Sequence, residues 1–401
     1  MKYFEIATGY TSIPAKIGAA TEKDVEGQTK SMVKMGYDVS IVDIRDKYRA
    51  PTNLPIIDVW MPQFFNSNKV VSLGFIHKLK RVLYSLSLTH KLHKIIKDNV
   101  NQEIYLHFHN QYNMFFFMKF TRKSLLKNVS IGYTVHSYIW YGKFEDIKDT
   151  IRKRYFQEVY CCQKADRVFV LNDVVTKMLV ENYNINKEKI RKIFNGVDTD
   201  VYDENIVKTS ELDKAKAKYG LSKYNIILQV GSICPRKNQL LSIELLLPIL
   251  KQRDDVAFAY AGGIIDMEYA EKIQNLAKKN GVENKVIYCG EVSPGKDLNI
   301  LYAMSKFTVF NSSAEAYGLV ITESLSVSRP VFVNEHLIES ISYWKENEGL
   351  GIIRITQDFE KQINRLLDDK YYYQDMKNKS RKVAYDKLSW DAATRLHMEY
   401  M

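Results

Sequence analysis

Phe307-Thr308-Val309-Phe310-Asn311-Ser312-Ser313-Ala314-Glu315-Ala316-Tyr317-Gly318-Leu319-Val320-Ile321-Thr322-Glu323 reads as a buried strand, a polar loop and the start of a helix. An apolar run of four, rich in aromatic and β-branched residues, is the strand signal. The pattern turns helical from Gly318, which places Glu315 in the loop and Glu323 about two turns into the helix at ~3.6 residues per turn. The backbone N–H groups between the two acids lack intrahelical acceptors and carry the positive end of the helix dipole. Such a terminus holds an anion, above all a phosphate. A carboxylate on either side accepts hydrogen bonds from hydroxyl groups. Phosphate between two polyols describes a nucleotide sugar, with a ribose on one side and a hexose on the other.

Working outward, short apolar runs alternate with helical patterns along the whole chain. Strands are expected at 3–7, 39–44, 104–108, 131–135, 168–171, 226–230, 256–261, 285–289, 307–310 and 330–333, with helices such as 21–35, 238–252 and 269–279 between them. That alternation predicts an α/β fold of parallel sheets covered by helices on both faces. At 401 residues the chain suits two domains. A boundary is expected after Asn195-Gly196-Val197-Asp198-Thr199-Asp200, which opens on an Asn-Gly turn able to take positive φ. The charged stretch 208–224 then precedes a new buried strand at Ile226.

Composition narrows the class. No apolar run reaches the ~18 residues of a membrane span, and a strand begins at Lys2 in place of a signal peptide. Cys161, Cys162, Cys234 and Cys289 have neither zinc nor disulfide spacing, which fits a cytoplasmic protein with each thiol a small buried hydrophobe. The net charge is +11, and the segment from Lys69 to Lys127, with eleven cations against Asp98 and Glu103, accounts for about +9 of it. Apolar residues interleave there, as in Phe75-Ile76-His77-Lys78-Leu79-Lys80-Arg81-Val82. A basic amphipathic helix of this kind suits either an anionic membrane face or a solvated helix surface. No nucleic-acid motif accompanies the charge.

Val230-Gly231-Ser232-Ile233-Cys234-Pro235-Arg236-Lys237-Asn238 follows a strand and opens a helix. Two cations at a helix start oppose the dipole unless an anion binds, and a diphosphate would satisfy both. Tyr133-Thr134-Val135-His136 and His107-Phe108-His109-Asn110 end two further strands with histidines. His107 and His109 share a face at period two. A metal site would need a third ligand, which the sequence does not supply, so none is expected. There is no G-x-G-x-x-G, which argues against a dinucleotide cofactor.

Taken in order, these segments resemble the retaining glycosyltransferases of family 4, whose fold is GT-B: two Rossmann-like domains facing across a cleft. The resemblance spans nearly the whole chain. It implies an N-terminal acceptor-side domain at 1–200, a nucleotide-sugar-binding domain at 205–384, and a C-terminal helix near 385–401 that packs back on the first domain. It gives Glu315 the donor-sugar hydroxyls and Glu323 the ribose. Lys237 matches the family's phosphate-binding lysine. Ser232 stands where the family carries an arginine, and Arg236 could supply that cation from another angle. His136 would line the site near the reacting sugar. Gly18 would face the donor phosphates, Val292 the base, and Gly318, Leu319 and Val320 the diphosphate through their amides. His109 and Asn110 are read as cleft residues on the acceptor side. Ser328 and the stretch 334–339 depart from the family, which has glycines there.

The resemblance implies transfer of a sugar from a nucleoside diphosphate to an acceptor hydroxyl with retention of configuration, in surface polysaccharide or glycolipid assembly. It implies no metal and no cofactor beyond the nucleotide sugar, a UDP-sugar ahead of a GDP-sugar. The basic, apolar-studded first domain suggests a glycan or lipid-linked acceptor and a position on the inner membrane face. The alternative is a non-catalytic GT-B-like subunit that stabilises a partner transferase, suggested by Ser232 and the missing glycines.

Overall fold

The computed structural model describes residues 1–15, 20–62, 75–141 and 143–401. Gly18 and part of the basic segment, Lys69 included, lie outside the described residues. The chain forms two units, Met1–Gly196 with Trp390–Met401, and Val197–Ser389.

The first unit is built on β1 (Lys2–Ile6), β2 (Val39–Ile44), β3 (Ile56–Val59), β4 (Ile104–Phe108), β5 (Val129–Val135), β6 (Arg167–Val170) and β7 (Ile190–Lys192). They form one sheet in the order β3-β2-β1-β4-β5-β6-β7, all parallel. The second unit carries β8 (Asn225–Val230), β9 (Val256–Ala261), β10 (Val286–Tyr288), β11 (Phe307–Phe310), β12 (Val331–Val333) and β13 (Ile352–Arg354). Their order is β10-β9-β8-β11-β12-β13, again all parallel. Both sheets reverse direction of growth beside their first strand, between β1 and β4 and between β8 and β11. Ligands of open α/β sheets bind outside the strand C-termini at such a switch point.

Each sheet has its own apolar core. Leu88, Leu106, Phe108, Phe117 and Val168 lie in the first; Ile227, Leu246, Phe258, Phe307 and Phe332 lie in the second. Central strands such as Val256–Ala261 are buried along their full length, because helices cover both faces and leave no solvated side. That is why they read as unbroken apolar runs.

Three strands escaped the sequence reading: Ile56–Val59, Ile190–Lys192 and Ile352–Arg354. All three are edge strands of three or four residues, partly exposed and too short for a periodic signal. The Asn195-Gly196 step does not take positive φ. Gly196 is required for another reason: a Cβ there would lie 2.5 Å from the backbone Cα of Trp390. The C-terminal helix Trp390–Glu399 thus packs within the first unit, where Asp391 accepts from Ser31 Oγ at 2.7 Å and pairs with Lys34 at 2.6 Å. Cys234, expected to be buried, is only half-buried.

Candidate active site

In the second unit the loops after β8 and β11 meet at the switch point. Gly231 follows β8 with φ +152°, and a Cβ there would press on the Lys237 stem at 3.3 Å. The chain then makes a short 3-10 turn, Pro235–Lys237, held by Gln229 Nε2 donating to Lys237 O at 2.7 Å. The β11 loop is tied to this turn: Ser313 N donates to Arg236 O at 2.9 Å, and Arg236 Nη1 donates to Ala314 O at 2.9 Å.

These bonds bring Glu315 against both cations. Its Oε1 pairs with Arg236 Nη1 at 2.5 Å, with Lys237 Nζ, and accepts from Ser312 Oγ at 2.9 Å. Burial pushes the Glu315 carboxyl up, but Lys237 and Arg236 overcome it and hold the group below the ordinary carboxylate range. Burial pulls the Lys237 ammonium down, and Arg236 adds to that; Glu315 opposes both without cancelling them. Lys237 Nζ also sits 5.3 Å above the Phe310 ring, a cation–π contact. That same ring abuts Gly318, where a Cβ would meet it at 3.0 Å.

Gly318, with φ +99°, is the N-cap of the helix Leu319–Ser326 and offers no capping side chain. The amides of Leu319 and Val320 open that helix. Glu323 is its fifth residue, little more than one turn in, not two as the sequence suggested. It is buried and accepts from Tyr302 Oη at 2.9 Å. Val292 follows Cys289-Gly290-Glu291 beyond β10 and is half-buried. Ser232, in the place of the family arginine, is engaged through its carbonyl, which accepts from Gln239 Nε2 at 3.0 Å. The family's missing glycine at Ser328 is explained: the position has φ +58°, a left-handed conformation that costs a non-glycine residue. The stretch Glu335–Ser340 is a short helix capped by Asn334, whose Nδ2 donates to Ser312 O at 2.7 Å.

In the first unit, register places Glu5 of β1 beside His107 of β4. Glu5 Oε2 lies 2.9 Å from His107 Nδ1 and 2.8 Å from His109 Nε2. His109 Nδ1 lies 3.0 Å from His136 Nε2. His107 Nε2 lies 2.7 Å from Thr134 Oγ1. Burial raises the Glu5 carboxyl, but His107 and His109 more than reverse this and hold it well below its ordinary range. Burial keeps His107 and His136 below the usual imidazole range and pushes Asp24 up to about 8. His109 was expected on the acceptor side of a cleft; its side chain is fully buried, so it cannot meet a substrate directly. Asn110 is buried too, caps the helix Gln111–Phe120 and donates to Tyr10 Oη at 3.0 Å.

The sequence reading found no third group for the histidine pair. Glu5 is that group: Glu5, His107 and His109 bring ligand atoms within 4.8 Å of one another, as do Asp24, His109 and His136. The signal was present, an acid inside the apolar strand Tyr3-Phe4-Glu5-Ile6. Ser312 and Phe310 were also missed, since nothing in a Ser or Phe of a strand end announces a partner.

Two family models match this chain: "Glycosyltransferase Family 4" over residues 24–201 and "Glycosyl transferases group 1" over residues 212–383. An uncharacterized glycosyltransferase of Methanocaldococcus jannaschii, MJ1607, is 24% identical over 256 residues, 62% of each chain. The serotype-specific mannosyltransferase WbdA of Escherichia coli is 26% identical over 255 residues, 62% of this chain and 30% of that one. The chain therefore spans less than two thirds of the length of these curated relatives. Among solved structures, Anabaena Alr3699/HepE in complex with UDP and glucose superposes with TM-score 0.71 at 15% identity, covering 100% of this chain and 98% of that one.

Proposed function

Because this chain belongs to glycosyltransferase family 4 and has the GT-B fold, we propose that it transfers a sugar from a nucleoside-diphosphate sugar to an acceptor hydroxyl, with retention and without a metal. The carrying observation is Glu315 held by Arg236 and Lys237 at the switch point of the second sheet. A diphosphate arriving there competes for both cations. Glu315, partly released, can then accept from sugar hydroxyls. Negative charge grows on the leaving diphosphate in the transition state, and Lys237, Arg236 and the amides that open the helix at Leu319 oppose it. Each such donor contributes on the order of 3 kcal/mol. Glu323, oriented by Tyr302, is the acceptor for ribose hydroxyls. We place UDP ahead of GDP, in keeping with the UDP and glucose bound by the Anabaena relative.

The acceptor we propose is a glycan or a lipid-linked sugar, in surface polysaccharide or glycolipid assembly. Its support is the helix Phe75–Asp98, which exposes Ile76, Leu79, Val82 and Leu86 at helical spacing beside Lys78 and Arg81. This stripe suits the inner face of an anionic membrane. No described helix is long and apolar enough to cross one.

The test is incubation with a panel of UDP- and GDP-sugars, reading nucleoside-diphosphate release, in wild type, Glu315→Ala and Lys237→Ala. Equal turnover in all three would remove the site assignment. Absence of thermal stabilisation by any nucleotide would favour the non-catalytic subunit instead. Flotation with anionic liposomes tests the membrane stripe.

A further inference from the structure

His136 is the most exposed member of the first-unit cluster, at 15% of its side chain against 4% for Asp24, 1% for Glu5 and 0% for His107 and His109. Behind it runs a chain of ring contacts into the sheet. Glu5 Oε2 faces His109 Nε2 at 2.8 Å, and His109 Nδ1 faces His136 Nε2 at 3.0 Å. An ionised carboxylate only accepts, so His109 Nε2 must carry the proton. A neutral imidazole then has a bare Nδ1, and that nitrogen can only accept. His136 therefore donates from Nε2, and its own Nδ1 is left bare. Each link in this sequence follows from the one before, and the starting charge is on Glu5.

We propose that Glu5 and His109 are positioning residues that fix the tautomer of His136, so that its Nδ1 accepts a hydrogen bond from a hydroxyl of the sugar substrate. The substrate in this statement rests on the transferase reading above; the tautomer does not. The chain is held in register by the sheet. Glu5 and His107 are cross-strand neighbours, and the His107 ring packs 4.1 Å from that of His109. The groups facing the chain are Glu5 on β1, His107 on β4, Thr134 on β5, Asp24 on the helix Ala20–Lys34 and His397 on the C-terminal helix. Asp24 Oδ2 lies 3.6 Å from His136 Nε2 and 3.9 Å from His109 Nδ1, too far to replace either ring contact.

The experiment is two-bond 1H–15N correlation of the histidine-labelled full chain at pH 8, with His136 assigned by loss of its signals in His136→Gln. The expected wild-type spectrum has His136 protonated on Nε2 alone. His109→Phe should give a mixture of both tautomers. Glu5→Gln preserves shape and removes charge; it should lower kcat at least about tenfold, as losing a tautomer-setting carboxylate does elsewhere, with KM for the donor within about twofold. A wild-type His136 protonated on Nδ1 overturns the proposal. So does an unchanged tautomer in His109→Phe, an unchanged kcat in Glu5→Gln, or one equivalent of metal copurifying on these histidines. The spectra need no substrate, so absence of turnover with every nucleotide sugar would count against the transferase reading alone.

Discussion

Replacing Lys237 by Met separates the electrostatic role of its ammonium from its packing. A Cβ added at Gly231 would meet the stem at 3.3 Å, so the stem runs close over that glycine, and a Met side chain of similar length fills the same space. What disappears is one of two cations on Glu315. Removing one partner of a buried pair costs about 3–5 kcal/mol when the other charge is stranded. Glu315 is not stranded here, because Arg236 at 2.5 Å and Ser312 at 2.9 Å remain. The stability loss should therefore stay below that range, at about 1–2 kcal/mol. Transition-state stabilisation falls further, because Arg236 and the amides at Leu319 do not replace the direct donor that the leaving diphosphate loses, worth about 2.7–4 kcal/mol. At 1.36 kcal/mol per decade this is about a 100- to 1000-fold fall in kcat. Urea denaturation gives the first quantity and steady-state nucleoside-diphosphate release gives the second. A kcat within threefold of wild type in a folded Lys237→Met protein would refute the assignment.

Three other predictions follow from particular contacts. Glu323→Gln should weaken nucleotide binding by about 10- to 100-fold in calorimetry, the scale of a charged hydrogen bond of about 1.5–3 kcal/mol; unaltered affinity would remove the ribose role. Gly27→Ala would place a Cβ 2.1 Å from Trp390 Cε2, and overpacking of this kind costs about 1–3 kcal/mol. Unfolding followed by tryptophan fluorescence should show the midpoint falling, and an unmoved midpoint would mean the C-terminal helix does not dock there. Glu158 is buried, accepts from Tyr133 Oη and Trp140 Nε1 at 3.1 Å each, and burial raises it from 4.5 to about 7. The folded chain thus keeps a proton that the unfolded chain releases as pH rises through 4.5, so stability should fall between pH 4.5 and 7, by at most about 3 kcal/mol. Urea titrations at pH 5 and pH 8 should show a smaller difference in Glu158→Gln than in wild type; an equal difference would contradict this.

The sequence by itself determined the class of fold and which polar residues stand at the strand ends of the second unit. Strands buried on both faces must be continuous apolar runs, so 256–261 and 307–310 are legible without coordinates, and so are a lysine, an arginine and a glutamate at strand ends. Their meeting was expected only through the family resemblance, because local pattern does not carry it: the distance from Lys237 to Glu315 is set by strand order, and β8 neighbours β11 only through the crossover topology. The same reason hid the first-unit cluster. Glu5, His107 and His136 are separated by a hundred residues or more in sequence from end to end, and only parallel pairing of β1, β4 and β5 puts them on one face. Three of the four edge strands, 56–59, 190–192 and 352–354, stayed invisible because a half-exposed segment that short has no period to read. Local pattern fixes which residues are strand ends; hydrogen-bonded register alone fixes which strand ends are neighbours.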